Sequence, residues 1–591
     1  MNNTATRRKY KILKILLILG SIAAALKVIF VDYTLDEEYQ IVMAYRRLMG
    51  DHLFGAMWEP HQTSAFVCVW LMGLFRAVTG GTAGVVLFLR VCTTLIQLAM
   101  SWWFYRVCRD YTHREYAFLL GLCYFNIVPK IIQIPEFSNL QVWFLTVITL
   151  SLMRYYGHGH GSGTERKTRR LWLVAAGVGM ALEVLSYPAT LLLFPVFLIG
   201  IFIWSRGDRT EGKADVRHVL TDCLIFAGVC VCAAVIWLWN VLSYVSLDEF
   251  MRNVKYVLSF DLTHDVALAS QSRLVTLASG VKSLVLPWIV ILPVSLGAWA
   301  LYGRALHKKG LGGHLPLSIL AVIMVLVSEL VQIFYWIVLR KGYEEPLIHL
   351  LVLLLAAALV WREAGDGKKI LIPGLLGGVF AILSVVYMSD LAPWYAIPHG
   401  MTGALLAAVV LIHALERETG TKSRHWVLIL LVSLTAVSIF GKGFTLRQGK
   451  TDTNTILGIR GIVKEGPAIG ILTNYMQAYM IDSAYEEFAE YVEEGTDCLI
   501  VTNMAGSAGT TPYLFRDCNI CHFSIVDPTS YDERLLTYWN LYPDKQPELI
   551  VVDTWYGQLM EDENSWIMQY IENEFGYSRV EEGKFLRYYF R

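Results

Sequence analysis

The stretch SAFVCVWLMGLFRAVT, Ser64 to Thr79, decides the topology of this chain. It is apolar but short, and Arg76 interrupts it. Counted as a membrane span, it sends the basic loop GHGHGSGTERKTRR (157–170) to the outer side. That opposes the preference of Lys and Arg for the cytoplasmic face. Laid in the membrane surface instead, it puts all the basic loops on one side. These are Arg106–Glu115, 157–170, SRGDRTEGKADVRH (205–218), GRALHKKGLGGH (303–314), WREAGDGKK (361–369) and HALERETGTKSRH (413–425). The surface reading is therefore adopted.

Around that stretch the chain is a polytopic membrane protein. Of its 591 residues 55% are hydrophobic and only 17% are charged. Runs of about 18 or more apolar residues recur, as spanning helices require. Thirteen spans are read, near 12–31, 84–107, 117–134, 139–156, 171–187, 189–205, 219–242, 284–303, 315–339, 346–361, 370–388, 399–414 and 426–441. The first follows the basic RRKYKILK and is long enough to be an uncleaved helix, with a cytoplasmic N-terminus. Residues 442–591 carry 12 Lys+Arg against 23 Asp+Glu, a net of −11, so the remainder is +11. The chain thus divides into a basic all-α membrane domain, 1–441, and an acidic extracytoplasmic domain, 442–591. Such a tail repels phosphates, which argues against nucleic acid as a partner.

In the tail, EEFAEYVEEG, DERLLTYWNLY and SWIMQYIENEFG read as helices. CLIVTN, ICHFSIVD and ELIVVDTW read as strands, with KFLRYYFR closing the sheet. Alternation of this kind predicts a three-layer α/β domain with a mostly parallel sheet. Asp527 and Asp553 fall at strand ends, where such sheets place ligands. Cys518-Asn-Ile-Cys521 is a lone CxxC, a weak metal signal, and buried thiols are the favoured reading.

The first outer loop, 32–83, opens with TLDEEYQIVMAYRRLMGD (34–51). Ile41, Val42, Tyr45, Leu48 and Met49 share a helical face. The spacing predicts a helix on the membrane surface, with Arg46 and Arg47 reaching headgroups. Ionisable residues within spans are costly. Lys27, Arg90, Lys130, Glu183, Glu329 and His349 all fall in the outer portions of theirs. One-sided placement suits a pocket open to the outer face rather than a path across the membrane. The outer loop 243–283 is expected to cover that pocket, with Arg252, Lys255 and Arg273 as phosphate candidates.

Asp36-Glu37 closes the first span, Trp58-Glu59-Pro60-His61 opens the second surface helix, and Arg90 opens the second span. Glu136 lies in the short loop before the fourth. This order resembles the C-type (GT-C) glycosyltransferases, most nearly protein O-mannosyltransferases and bacterial lipid A aminoarabinose transferases. The resemblance covers roughly residues 30–160; beyond it only the span count agrees. It implies a polyprenyl-phosphate sugar donor and a lipid, polymer or protein acceptor. Asp36 is then the catalytic base, with Glu37 next. Glu136 orients the acceptor or, as the lesser option, helps hold a divalent cation. Glu59 stands where the aminoarabinose transferases carry a Lys toward the donor phosphate. That contact would instead fall to Lys130, Arg252, Lys255, Arg340 or Lys341, with His61, Arg90 and Glu329 also at the substrate.

The chemistry fits these residue types directly. A sugar on polyprenyl phosphate has a good leaving group, so the reaction needs a base for the acceptor hydroxyl. It also needs cations for the departing phosphate. The isoprenoid tail pins both at headgroup depth. The alternatives from other classes are a transporter or flippase of lipid-linked saccharides and a polymerase or ligase.

Overall fold

The computed structural model describes residues 4–157, 163–207, 216–263, 278, 280–282, 284–308, 315–343, 347–365, 377–386, 393–420, 423–447, 455–501, 511–522, 532–554 and 565–591. Long apolar segments become helices, because a backbone outside water must satisfy its own hydrogen bonds. These are α1 (Thr4–Phe30), α4 (Val85–Cys108), α5 (Arg114–Asn126), α6 (Phe137–Gly157), α7 (Gly163–Ser186), α8 (Leu193–Gly207) and α9 (Val216–Leu242). Trp288–Lys308, Leu317–Ile337, Ile348–Leu359, Gly377–Val386, Met401–Thr419 and Ser423–Phe444 follow. Each of the thirteen expected spans overlaps one of these, but 117–134 is helical only as far as Asn126, and Lys130, expected inside that span, lies in the turn that follows. Among the described residues eight helices are long and apolar enough to cross a membrane. The chain is a multi-pass membrane protein.

Gln62–Thr79 is one of those eight by length and composition, but it does not run from one end of the bundle to the other. At its start Thr63 Oγ1 donates to Leu185 O, at the close of α7. At the end of α3 (Phe66–Thr79), Arg76 pairs with Asp517 of the sheet domain at 3.3 Å. Just beyond, Thr82 Oγ1 donates to Leu514 O. Both ends therefore lie at the end of the bundle that carries the sheet. Trp70, Leu74 and Val78, four residues apart, are 81%, 57% and 78% exposed and form an apolar stripe.

α2 (Leu35–Leu48) starts from Thr34, whose N–H is received by Glu37 Oε2 at 3.2 Å. Three acids in its first turn favour the helix dipole. The expected headgroup-facing arginines are not found. Arg46 is buried and donates to Asp51 at 2.6 Å, to Glu59, to Ala56 O at 2.7 Å and to Tyr538 at 3.1 Å. Arg47 Nη1 donates to Asp51 O at 2.7 Å. The physical reason is cover: α2 is buried from Glu37 to Arg46, so its polar side needs protein partners.

The cover is the C-terminal domain. Among the described residues, β1 (Gly461–Ile462) and β2 (Leu472–Thr473) form a small antiparallel pair, and a larger five-stranded sheet has the order β4-β3-β5-β7-β6. β3 (Asp497–Val501) pairs in parallel with β4 (Asn519–Ile520) and β5 (Leu549–Asp553). β7 (Leu586–Phe590) runs antiparallel to β5 and to β6 (Arg579–Glu582). The sheet is therefore mixed, correcting the mostly parallel expectation, because a terminal hairpin turning at Gly583 supplies the last two strands. Cys498, Ile500, Leu549, Val551 and Tyr588 pack into a core with Ile41, Val42 and Tyr45 of α2. The alternate residues Leu499, Val501, Ile550, Val552 and Tyr589 pack with Trp58. Residues of the 32–83 loop thus enter the cores on both faces of the sheet. Cys498, Cys518 and Cys521 are buried, free thiols. Asp527 and Arg273 lie outside the described residues.

Candidate functional site

Asp36 sits in the first turn of α2, where the chain leaves α1. Its Oδ2 receives Lys130 Nζ at 3.0 Å and Arg447 Nη1 at 2.6 Å. Lys130 is 94 residues away, in the turn Pro129–Ile131 before α6. Lys130 and Ile131 both take left-handed backbone, φ 52° and 55°. Such conformations cost about 1–3 kcal/mol each for non-glycine residues. Here they turn the Lys130 side chain back beneath α2, with its ammonium 4.2 Å from the centre of the Phe137 ring. Burial disfavours a charged Asp36, but Arg447 and Lys130 outweigh it and hold the carboxyl well below the usual range. It is ionised at neutral pH.

Exposure separates the three acids of this turn. The Asp36 side chain is 16% open, while that of Glu37 is 2% and Glu38 is fully buried. Glu37 is committed to Arg90, which reaches it through Nε at 2.9 Å and Nη2 at 2.7 Å. Arg90 also caps the end of α1, donating to Ile29 O at 3.0 Å and Asp32 O at 2.5 Å. Glu38 receives Thr511 Oγ1 at 3.1 Å, a contact with the sheet domain. Asp36 alone of the trio is reachable.

Glu136 stands before α6 as its cap, with Ser138 N at 2.9 Å and Asn139 N at 2.8 Å on its carboxylate. It is fully buried. Burial, with Asp36 adding, pushes its pKa up to about 7, against the pull of Lys130 and the two amides. Asp36 and Glu136 are thus driven in opposite directions, a pattern that separates proton-transfer roles in many sites. His61, left-handed at φ 59°, stacks on Phe137 at 4.4 Å and on Tyr187 at 5.2 Å. It walls the side of the site on which Lys130 lies.

Other candidates fall elsewhere. Glu59 belongs to a second buried network with Arg46, Asp51 and Lys545, the last 2.7 Å from Asp51. Burial raises the Glu59 carboxyl despite Arg46, whereas Arg46 and Lys545 overcome burial and lower Asp51. Arg252 and Lys255 are exposed on α10 (Leu247–Thr263). That helix is pinned by Asn253, which donates to Phe54 O at 2.6 Å, and by Tyr256, stacked on Trp58 at 4.4 Å. Glu329 is buried mid-helix beside Ser433. Ser433 lies eleven residues before Phe444, or about 16 Å along a helix axis at about 1.5 Å per residue. Arg340 and Lys341 are exposed near Tyr343, whose N–H donates to Leu446 O at 3.0 Å. Among the described residues no group of three or more His, Cys, Asp or Glu is placed to hold a metal ion.

Arg447 escaped the sequence reading. It lies three residues past Phe444, among residues assigned to an acidic tail. A base at headgroup depth immediately after the last apolar run was the available signal.

No family model matches the sequence, and no curated protein matches it. Among solved structures, the apo form of ArnT from Cupriavidus metallidurans superposes at a TM-score of 0.41 with 12% identity. That match covers 98% of this chain and 97% of ArnT. The Archaeoglobus fulgidus oligosaccharyltransferase tethered with an acceptor peptide gives 0.46 at 11% identity, over 92% of this chain and 69% of that one. With TM-scores below 0.5, these likenesses decide neither the fold nor the activity of this chain.

Proposed function

We propose that the protein is an integral-membrane glycosyltransferase that moves a sugar from a polyprenyl-phosphate donor to an acceptor at the outer face of the membrane. The observation that carries this reading is the reachable Asp36 carboxylate, held at one end of the helix bundle between two cations. We take the sheet-bearing end as the outer face, because Arg106, Arg154 and Arg169 lie at the opposite ends of α4, α6 and α7.

Lys130 and Arg447 converge on the reachable Asp36 carboxylate, and two converging cations are what a phosphate needs. A donor phosphate entering there takes over the two cations. Asp36 loses the partners that suppress its basicity and becomes a competent base. It removes the proton of the acceptor hydroxyl as that oxygen bonds the anomeric carbon. The sugar–phosphate C–O bond breaks, its electron pair leaves on the phosphate, and Lys130 and Arg447 hold the new charge. A single displacement inverts the anomeric centre. Glu136, poised near neutrality, orients the acceptor, and Glu37 positions Asp36 by locking the turn through Arg90.

The test uses the full chain in detergent with radiolabelled polyprenyl-phosphate sugars and a membrane-lipid extract. Transfer of label to an acceptor with inverted linkage is the expected result. Movement of intact lipid-linked sugar across proteoliposomes with no transfer would replace this reading with a flippase.

A further inference from the structure

One helical turn deeper than Glu136 lies a second polar set. On α6, Ser138 and Gln141 are three residues apart, with Leu145 a turn further along the same face. On α7, Glu183 lies against the Leu145 backbone, a turn below Tyr187, whose ring is 6.2 Å from Phe137. From a third direction comes His399, in the turn Ile397–Gly400. That turn packs against Pro129–Ile131, which carries Lys130. One turn on, Thr402 meets Thr146 of α6 at 2.7 Å, which fixes the depth of His399 between Glu136 and Thr146.

Ser138, Gln141 and Glu183 are fully buried and His399 is 2% exposed. Yet Ser138 Oγ, both amide atoms of Gln141 and both ring nitrogens of His399 have no hydrogen-bond partner, and the Glu183 carboxylate has only the Leu145 backbone beside it. A single buried polar atom left unpaired costs roughly 1–3 kcal/mol. Native proteins retain few of them, and those retained call for an explanation. Buried polar side chains left this way on three neighbouring elements, within about two helical turns along α6, are a built feature.

We propose that Ser138, Gln141, Glu183 and His399 form a chamber that binds the hydroxyl groups of a sugar ring. The set offers donors and acceptors and no fixed cation, so it matches a neutral polyol and not a phosphate. The stacked rings of His61, Phe137 and Tyr187 give it an apolar wall. Small-ligand sites combine apolar walls with a few placed polar groups in this way. The inference rests on the glycosyltransferase reading, since it makes the chamber the place where the transferred sugar is recognised next to the lipid phosphate.

The test compares wild type with Gln141→Leu, His399→Phe and the milder Ser138→Ala, as full chains in detergent. Affinity is measured for sugar-free polyprenyl phosphate and for polyprenyl-phosphate sugars, and thermal stabilisation by a panel of free monosaccharides is followed. Wild type is expected to bind one glycosylated lipid at least about tenfold tighter than the bare phosphate, from one or two satisfied hydrogen bonds. The variants should lose that preference and keep the affinity for bare phosphate. Variants that discriminate as wild type does, or a wild type with no sugar preference and no stabilisation by any monosaccharide, would overturn the chamber. Stabilisation by a monosaccharide that the variants lose, with no binding of polyprenyl phosphate, would uphold the chamber and sink the donor reading.

Discussion

At the scale of single residues, the site turns on how far neighbours move two carboxyls. Glu136 titrates near 7 in the folded protein against 4.5 for an ordinary glutamate. The folded state therefore holds its proton more tightly, so this residue's contribution is complete below about pH 4.5 and is lost as pH rises through about 7. Tm measured from pH 5 to 8 should fall across that window, and Glu136→Gln should flatten the fall. Asp36 has the opposite sign: its contribution is present above its ordinary value and fades as acid protonates it. The cations are separable from the base. Arg447→Met removes a charge-assisted contact of about 1.5–3 kcal/mol. Donor affinity should weaken about 10- to 100-fold while the rate at saturation changes less, which a KM-against-kcat comparison reads. The acidic trio and Glu136 were legible in the sequence because composition and position alone mark them. Their division of labour was not. Glu37 looked like a second base until Arg90, 53 residues on, was seen holding both its oxygens. Arg447 lies 411 residues from Asp36, a pairing set by how the last helix returns beside the first.

At the scale of elements, hydropathy determines most of the outcome and packing determines the rest. The thirteen apolar runs were readable because a helix that crosses lipid has little freedom in composition or length. α2 was misjudged because its apolar face was assigned to lipid, whereas a protein layer covers it and draws Arg46 inside. Arg46→Ala leaves Asp51 and Glu59 buried without their shared cation. Removal of one partner from a buried pair costs about 3–5 kcal/mol. A large drop in Tm is expected, partly restored when Glu59→Gln is added. α3 makes a separate prediction. Spin labels placed at positions 70, 74 and 78 should report one shallow membrane depth. A steady gradient in depth would show that α3 crosses the bilayer.

At the scale of the molecule, membrane bundle and sheet domain are joined through the 32–83 loop. α2 packs on one face of the sheet, Trp58 on the other, and Lys545 reaches Asp51 from the domain. α10 completes the joint, where Tyr542 donates to Glu249 at 2.6 Å. The acidic tail was correctly read as α/β from its alternating pattern, but its dependence on α2 could not be, since no periodicity reports a partner 450 residues away. A chain ending after Arg447 should therefore not yield a stable membrane part, because Ile41, Val42 and Tyr45 lose their cover; size-exclusion profile and protease resistance would report it.

The central claim is that Asp36 removes the proton of the acceptor. The most direct measurement is single-turnover transfer by Asp36→Asn and Asp36→Glu at saturating donor, with donor affinity measured on the same preparations. A positioned base contributes about 10²- to 10⁴-fold. Asp36→Asn should lose a factor in that range while still binding donor, and Asp36→Glu should recover part of it. Transfer by Asp36→Asn at the wild-type rate would contradict the claim and leave Asp36 as a helix-terminal acid that organises Lys130 and Arg447.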